Sequence, residues 1–300
     1  MEKPFNKILQ EKILVGDGAM GTMLIERGLE AGRPPESFNL EKAAVLEEIA
    51  RQYLDAGSDI VQTNTFGASA LNLAVYGLEE RTIDINRAAV LAVRKAVGDH
   101  AYVSGSCGPS GRLLKPYGDV EPERMFASFK VQLQALIDAG VDVICVETMS
   151  DIQEAVLAVT AAKDIKASVP VMATMTFNPT PKGFYTVMGV NIPDAAAALE
   201  TAGADIIGSN CGNGIENMIL IAEGFKKCTK LPIIIQSNAG LPQKRGSDFI
   251  YPETPGFMAE KSREFVKLGV SIIGGCCGTT PAHIKALRSM VDSMQRPSTV

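Results

Sequence analysis

Ile272-Ile273-Gly274-Gly275-Cys276-Cys277-Gly278-Thr279-Thr280-Pro281 is the stretch from which the rest of the chain is read. An apolar run leads into two glycines, two adjacent cysteines and a third glycine, and Pro281 then opens a helical pattern. Small residues let a backbone turn sharply and approach a ligand closely. Proline suits the first turn of a helix, where its missing N–H costs nothing. The stretch therefore reads as a strand-to-helix turn carrying two thiols. Neighbouring cysteines are too cramped for an easy disulfide, but both can reach one metal ion if a third ligand arrives from elsewhere. Against that stands the plain alternative of two small buried apolar residues.

Working outward, the same unit recurs. Strands are predicted to begin near Ile13, Asp59, Tyr102, Asp142, Pro170, Asp205, Pro232 and Val270. Helices are predicted around 40–56, 82–97, 121–139, 151–165, 193–201, 215–227, 255–268 and 281–294. Three helix ends share one form: Ala56-Gly57-Ser58-Asp59, Ala139-Gly140-Val141-Asp142 and Ala202-Gly203-Ala204-Asp205. In each, a glycine closes the helix and an Asp precedes the strand. Eight βα units with buried-looking strands indicate an α/β protein of the (βα)8 TIM-barrel class, in a single domain. Long Gly/Pro-rich excursions follow strands 1, 3, 5 and 7, at 24–39, 108–120, 177–192 and 240–254. Barrel active sites lie on such βα loops.

Composition narrows the function. The 300 residues are 46% hydrophobic, carry a net charge of −5 and contain six cysteines. No basic block suits nucleic acid, and no apolar run suits a membrane span. The charged first dozen residues lack a signal-peptide core, so thiols in a reducing cytoplasm are expected rather than disulfides.

Polar residues gather at the predicted strand ends. Strand 1 ends in Gly16-Asp17-Gly18-Ala19-Met20-Gly21, strand 2 in Thr63-Asn64-Thr65 and strand 3 in Ser106-Cys107. Strand 4 ends in Glu147-Thr148, strand 6 in Asn210-Cys211 and strand 7 in Gln236-Ser237-Asn238. The first matches the dinucleotide pattern G-x-G-x-x-G. However, Asp17 would repel a pyrophosphate, and the next strand ends in Asn64 rather than in an acid. A tight turn presenting N–H groups beside a fixed carboxylate is the better use. Strands 6 and 8 are separated by one neighbour in a barrel, so Cys211 can join Cys276 and Cys277. Three thiolates give zinc three of four tetrahedral positions and leave one open, as catalytic sites do. Cys107, Cys145 and Cys228 read as packing residues or a surface thiol, and His100 and His283 fall away from the strand ends.

The same residues carry a resemblance. Gly16 to Thr22, Thr63-Asn64-Thr65-Phe66, Asn210-Cys211 and Gly274 to Pro281 resemble the homocysteine S-methyltransferase family, over about Ile13 to Met290. The likeness is nearest to the N-terminal homocysteine-binding module of its cobalamin-dependent members. It implies a barrel spanning residues 1–300, with a core of about 13–294, that methylates homocysteine to methionine. Cys211, Cys276 and Cys277 would hold Zn2+, with the substrate sulfur in the open position. Asp17 and Glu147 would meet the substrate ammonium, and the N–H groups of Ala19 and Met20 its carboxylate. Asn238 would take the fourth zinc position without substrate. The implied donor is methylcobalamin on a corrinoid-binding protein or domain, although relatives use betaine or S-methylmethionine. Betaine needs an aromatic cage, and this chain has no Trp and 6% aromatic residues.

Blander readings stand beside these. Asp17 could form an Asx turn, Glu147 an ion pair at the barrel mouth, and the whole chain a non-catalytic zinc- or thiol-binding module.

Overall fold

The computed structural model describes residues 4–245 and 248–295. Gly246 and Ser247, inside the 240–254 excursion, lie outside the described residues, as do the ends of the 1–300 span. Eight parallel strands form one sheet: β1 (Leu14–Val15), β2 (Ile60–Gln62), β3 (Tyr102–Cys107), β4 (Val143–Met149), β5 (Val171–Met175), β6 (Ile206–Asn210), β7 (Ile233–Ser237) and β8 (Ile272–Gly275). They follow one another in chain order, and β8 pairs with β1. A bridge between Gly16 and Ile60 closes the ring. The main helices pack outside it: α1 (Ala43–Asp55), α2 (Thr82–Val97), α3 (Pro122–Asp138), α4 (Ile152–Ile165), α5 (Ile192–Thr201), α6 (Ile215–Cys228), α7 (Pro255–Leu268) and α8 (Pro281–Gln295). This is the (βα)8 barrel expected from the sequence. Among the described residues no helix is long and apolar enough to cross a membrane.

Alternation along the strands builds two separate cores. Val15, Val61, Val103, Ile144, Ile207 and Ile273 point outward and pack against the helices. Leu14, Ile60, Tyr102, Val143, Met172, Ile206, Ile234 and Ile272, one from each strand, fill the bottom of the barrel with Cys145. Phe5, from the short helix Phe5–Ile8, plugs this layer from below, its ring 5.0 Å from that of Tyr102 at 88°. Two to four residues further along five of the strands the interior turns polar, with Ser104, Glu147, Thr174, Asn210 and Gln236 all buried. Among the described residues the apolar layer fills the N-terminal end, and the cavity lies at the C-terminal mouth.

The repeated Gly-x-Asp ends are clamps. Asp59, Asp142 and Asp205 each donate their N–H to the carbonyl of Val15, Val103 or Val171. Their carboxylates accept the N–H of those same valines, at 2.9, 2.7 and 2.8 Å. Arg288 and Lys12 hold Asp59, Arg94 holds Asp142, and Lys163 holds Asp205. The preceding glycines have φ of 97°, 92° and 98°, a conformation open to Gly.

Three local features depart from expectation. Lys42 breaks the predicted 40–56 helix into Phe38–Glu41 and α1. The Gly-rich turn after β1 runs directly into a helix, Met20–Glu26. Two excursions contain antiparallel hairpins, pairing Asn178–Thr180 with Gly183–Tyr185 and Gln243–Arg245 with Asp248–Ile250.

Candidate metal and substrate site

Cys211, Cys276 and Cys277 meet at the mouth of the barrel, their sulfurs all within 4.8 Å of one another. Strand β7 sets their spacing. Its Gln236 carbonyl accepts the Cys211 N–H at 3.1 Å, and its Ser237 carbonyl accepts the Cys276 N–H at 2.8 Å. Cys211 itself has φ of 60°, unusual for a residue with a side chain. Gly278, at φ 78°, ends the cysteine turn, and a Cβ there would sit 2.0 Å from the Tyr251 ring. Only glycine fits.

The donor set suits a tetrahedral metal. Cys211 and Cys277 sulfurs are 3.8 Å apart, the edge expected of a tetrahedron with metal–sulfur distances of about 2.3 Å. Hydrogen bonds from Cys276 and Cys277 push the Cys211 thiol well below its ordinary range, and the same coupling raises the other two. The other cysteines are elsewhere. Cys145 lies in the barrel floor, Cys107 is buried against Gln132, and Cys228 is exposed on α6. His283 bonds Thr280 and the Glu253 carbonyl rather than facing the triad.

A cavity of about 350 Å³ opens beside the triad. Its wall includes Gly18 to Thr22, Gln62 to Asn64, Ser106, Glu147 and Thr148, and no Lys or Arg among the described residues. Glu147 is 8% exposed. Its oxygens accept from Ser106 Oγ at 2.5 Å and Asn210 Nδ2 at 3.2 Å, so its partners are neutral rather than the cation of an ion pair. Burial pushes its pKa up to about 7, with the Cys211 charge adding to the shift. Asp17 lies one layer behind the wall, with Oδ2 accepting the Gln62 N–H at 2.7 Å. Its Oδ1 is buried without a partner. Burial, and then Glu147, raise its pKa to about 7 as well. Glu36, also buried on this wall, accepts the Gly67 N–H, so three buried acids here have no cation among the described residues and leave a place for a positive ligand.

The two backbone donors are placed differently. Ala19 N–H donates to Thr279 Oγ1 at 3.2 Å, because that hydroxyl also pins the Cys276 carbonyl at 2.7 Å. The Tyr53 hydroxyl holds the Ala19 carbonyl at 3.1 Å. Ala19 is therefore spent on the turn, whereas Met20 begins a helix, whose first N–H groups have no intrahelical acceptor. Asn238 is buried, its proximity helps to lower the Cys211 pKa, and its Oδ1 has no partner. The sequence places Thr148 at the end of strand 4 without marking a role for it, and it does not single out Tyr251. Thr148 has φ of 60°, and the Tyr251 ring stands against Gly278, next to Cys277. Nothing in residue type announces either; both depend on tertiary placement.

Comparison with known proteins follows the same lines. The family profile described as Homocysteine S-methyltransferase matches residues 14–291. The chain is 33% identical to methionine synthase of Mycobacterium tuberculosis over 309 residues, covering 97% of this chain and 25% of that protein. Methionine synthase of Mycobacterium leprae is also 33% identical, over 94% of this chain and 24% of its own length. The chain thus spans about a quarter of the length of these curated relatives. Among solved structures, the metallated form of the Escherichia coli homocysteine methyltransferase MmuM superposes with a TM-score of 0.80. It is 24% identical and covers 96% of this chain and 99% of its own. Its apo form gives 0.75, at 24% identity, over 96% of this chain and all of its own. At that identity the likeness concerns the fold.

Proposed function

The chain belongs to the homocysteine S-methyltransferase family, and on that footing we propose that it binds zinc and homocysteine and delivers a methyl group to the homocysteine sulfur. One observation carries the reading: three thiols and a buried carboxylate without a cation share one cavity. Cys211, Cys276 and Cys277 would hold the metal. Bound there, zinc would supply the Lewis acidity that keeps an incoming thiol deprotonated near neutral pH.

The chain's own residues would hold the rest of the amino acid. Glu147 would receive the ammonium at the cavity wall, and Asp17 would add its charge from behind. A buried ammonium would favour the ionised form of both acids, which burial alone disfavours. The Met20 N–H is the backbone donor open to the carboxylate. Asn238, beside Cys211 with an unpartnered Oδ1, would fill the fourth metal position before substrate enters. Holding both ends of the amino acid orients the sulfur toward the mouth, which is where positioning aids an in-line transfer. The homocysteine-binding unit would then be residues 13–294, working in a reducing cytoplasm, a reading supported by six cysteines that form no disulfide.

The donor would come from outside this barrel, as methylcobalamin on a corrinoid-binding protein or domain. Relatives four times as long, named methionine synthase, support this. Tyr117, Val187 and Leu241 stand exposed on three βα excursions, the face such a partner would cover. Phe184 and Tyr185 are half-buried in their hairpin and offer less. A second reading rests on Phe66 and Tyr76, which line the cavity and are half-exposed. They could face a small cationic donor such as betaine or S-methylmethionine. Transfer of labelled methyl to homocysteine separates the two. A methylated corrinoid protein should support far faster transfer than free methylcobalamin, and the small donors little. Fast turnover with a small donor and none with the corrinoid would establish the second reading. No transfer from any donor would leave a non-catalytic module.

A further inference from the structure

One side chain joins the two ends of the site. Asn210, the last residue of β6, is 1% exposed. Its Oδ1 accepts the Thr148 N–H and the Thr174 hydroxyl, both at 2.8 Å. Its Nδ2 donates to Thr148 Oγ1 at 2.7 Å and Glu147 Oε2 at 3.2 Å, and faces Cys276 Sγ at 3.9 Å. Thr148 and Cys211 are the two residues other than glycine with positive φ among those described, both at 60°. Asn210 bonds the N–H and hydroxyl of the first and is joined by a peptide bond to the second. Such conformations cost free energy and persist only where surrounding contacts hold them.

We propose that Asn210 is a positioning residue that sets the span between the Glu147 carboxylate and the cysteine sulfurs, and thereby the length of aminothiol the cavity accepts. The inference rests on the reading of Glu147 as the ammonium partner. Cysteine carries the same ammonium and thiol as homocysteine with one methylene fewer between them. A site that grips both groups can distinguish the two only if its own gripping points keep a fixed separation. Ser106 holds one Glu147 oxygen from β3, while Asn210 holds the other and is itself locked by β4 and β5. Removing Asn210 frees Glu147 on the side facing the sulfurs.

The test is calorimetric binding of homocysteine and of cysteine to zinc-loaded protein. It compares wild type, Asn210→Ala, Glu147→Gln and the double variant. Asn210→Ala should retain zinc, weaken homocysteine by about tenfold or more, and narrow the preference for homocysteine over cysteine. In the Glu147→Gln background the same change should cost little further, because its effect runs through that carboxylate. Equal losses in both backgrounds, or an unchanged preference, would overturn the inference. Should Asn210→Ala fail to fold, Asn210→Asp keeps the acceptor for Thr148 and Thr174 and loses the donor to Glu147. The same narrowing is then expected, and an unchanged preference again refutes it. Failure of the wild type to bind homocysteine at all would instead refute the underlying functional reading.

Discussion

Glu147 and Asp17 show at the scale of single residues how a site is maintained against stability. Burial raises Glu147 from 4.5, and Asp17 from 3.8, to about 7. A carboxyl whose folded pKa exceeds its unfolded value binds more protons in the folded state between the two values. Stability contributed there is fully present below the unfolded pKa and is lost as pH rises from about 4 to about 7. Neutral isosteres lack this loss. Without substrate, Asp17→Asn and Glu147→Gln should therefore be more stable than wild type by about 1–3 kcal/mol near pH 8, and the advantage should shrink near pH 5. Denaturation at the two pH values checks it; a variant less stable at the higher pH contradicts it. The same Glu147→Gln should weaken homocysteine binding by about 1.5–3 kcal/mol, the usual worth of a hydrogen bond to a charged group, with zinc retained. Unchanged affinity by calorimetry would make the carboxylate structural. Function and stability oppose each other at this residue.

At the scale of elements, the Asp clamps and the cysteine turn do different work at opposite ends of the barrel. Asp142 ties the start of β4 to Val103 through both its N–H and its carboxylate. Asp142→Ala should cost about 1–3 kcal/mol through the lost charged hydrogen bond, and Asp142→Asn less, because an acceptor remains. Homocysteine affinity should be unchanged in both; a loss of affinity without a loss of stability would mean the clamp serves the site. At the other end, Gly278 combines φ of 78° with the Tyr251 ring where a Cβ would stand. Gly278→Ala should displace Cys277 and lower zinc affinity by about tenfold or more. Wild-type affinity in a competition titration would show that the turn absorbs a side chain. The elements themselves were largely legible. Glycine C-caps, prolines at helix starts and apolar runs located the eight strands and eight main helices to within a few residues. Met20–Glu26 escaped because Gly18 and Gly21 read as a turn, and it is tertiary support from Thr279 and Tyr53 that fixes where that turn ends. The hairpins escaped because three-residue strands carry little periodicity.

At the scale of the whole molecule, the barrel converts distance in sequence into contact. Cys211 and Cys276 are 65 positions apart by number, yet one intervening strand brings their loops together, which the βα repeat alone foretold. What the repeat could not foretell is direction. Ala19 and Met20 are adjacent, but Thr279 captures one N–H and the helix start leaves the other. Asn210 looked no different from any polar residue at a strand end, and only the closed ring shows that it reaches Glu147, Thr148 and Cys276 together. The central claim is that the ring builds one three-sulfur zinc centre. Metal analysis of purified wild type, Cys211→Ala, Cys276→Ala, Cys277→Ala and Cys228→Ala tests it most directly. About one zinc per chain is expected in wild type and Cys228→Ala, with severe loss in each of the other three; equal zinc in all five proteins would contradict the account.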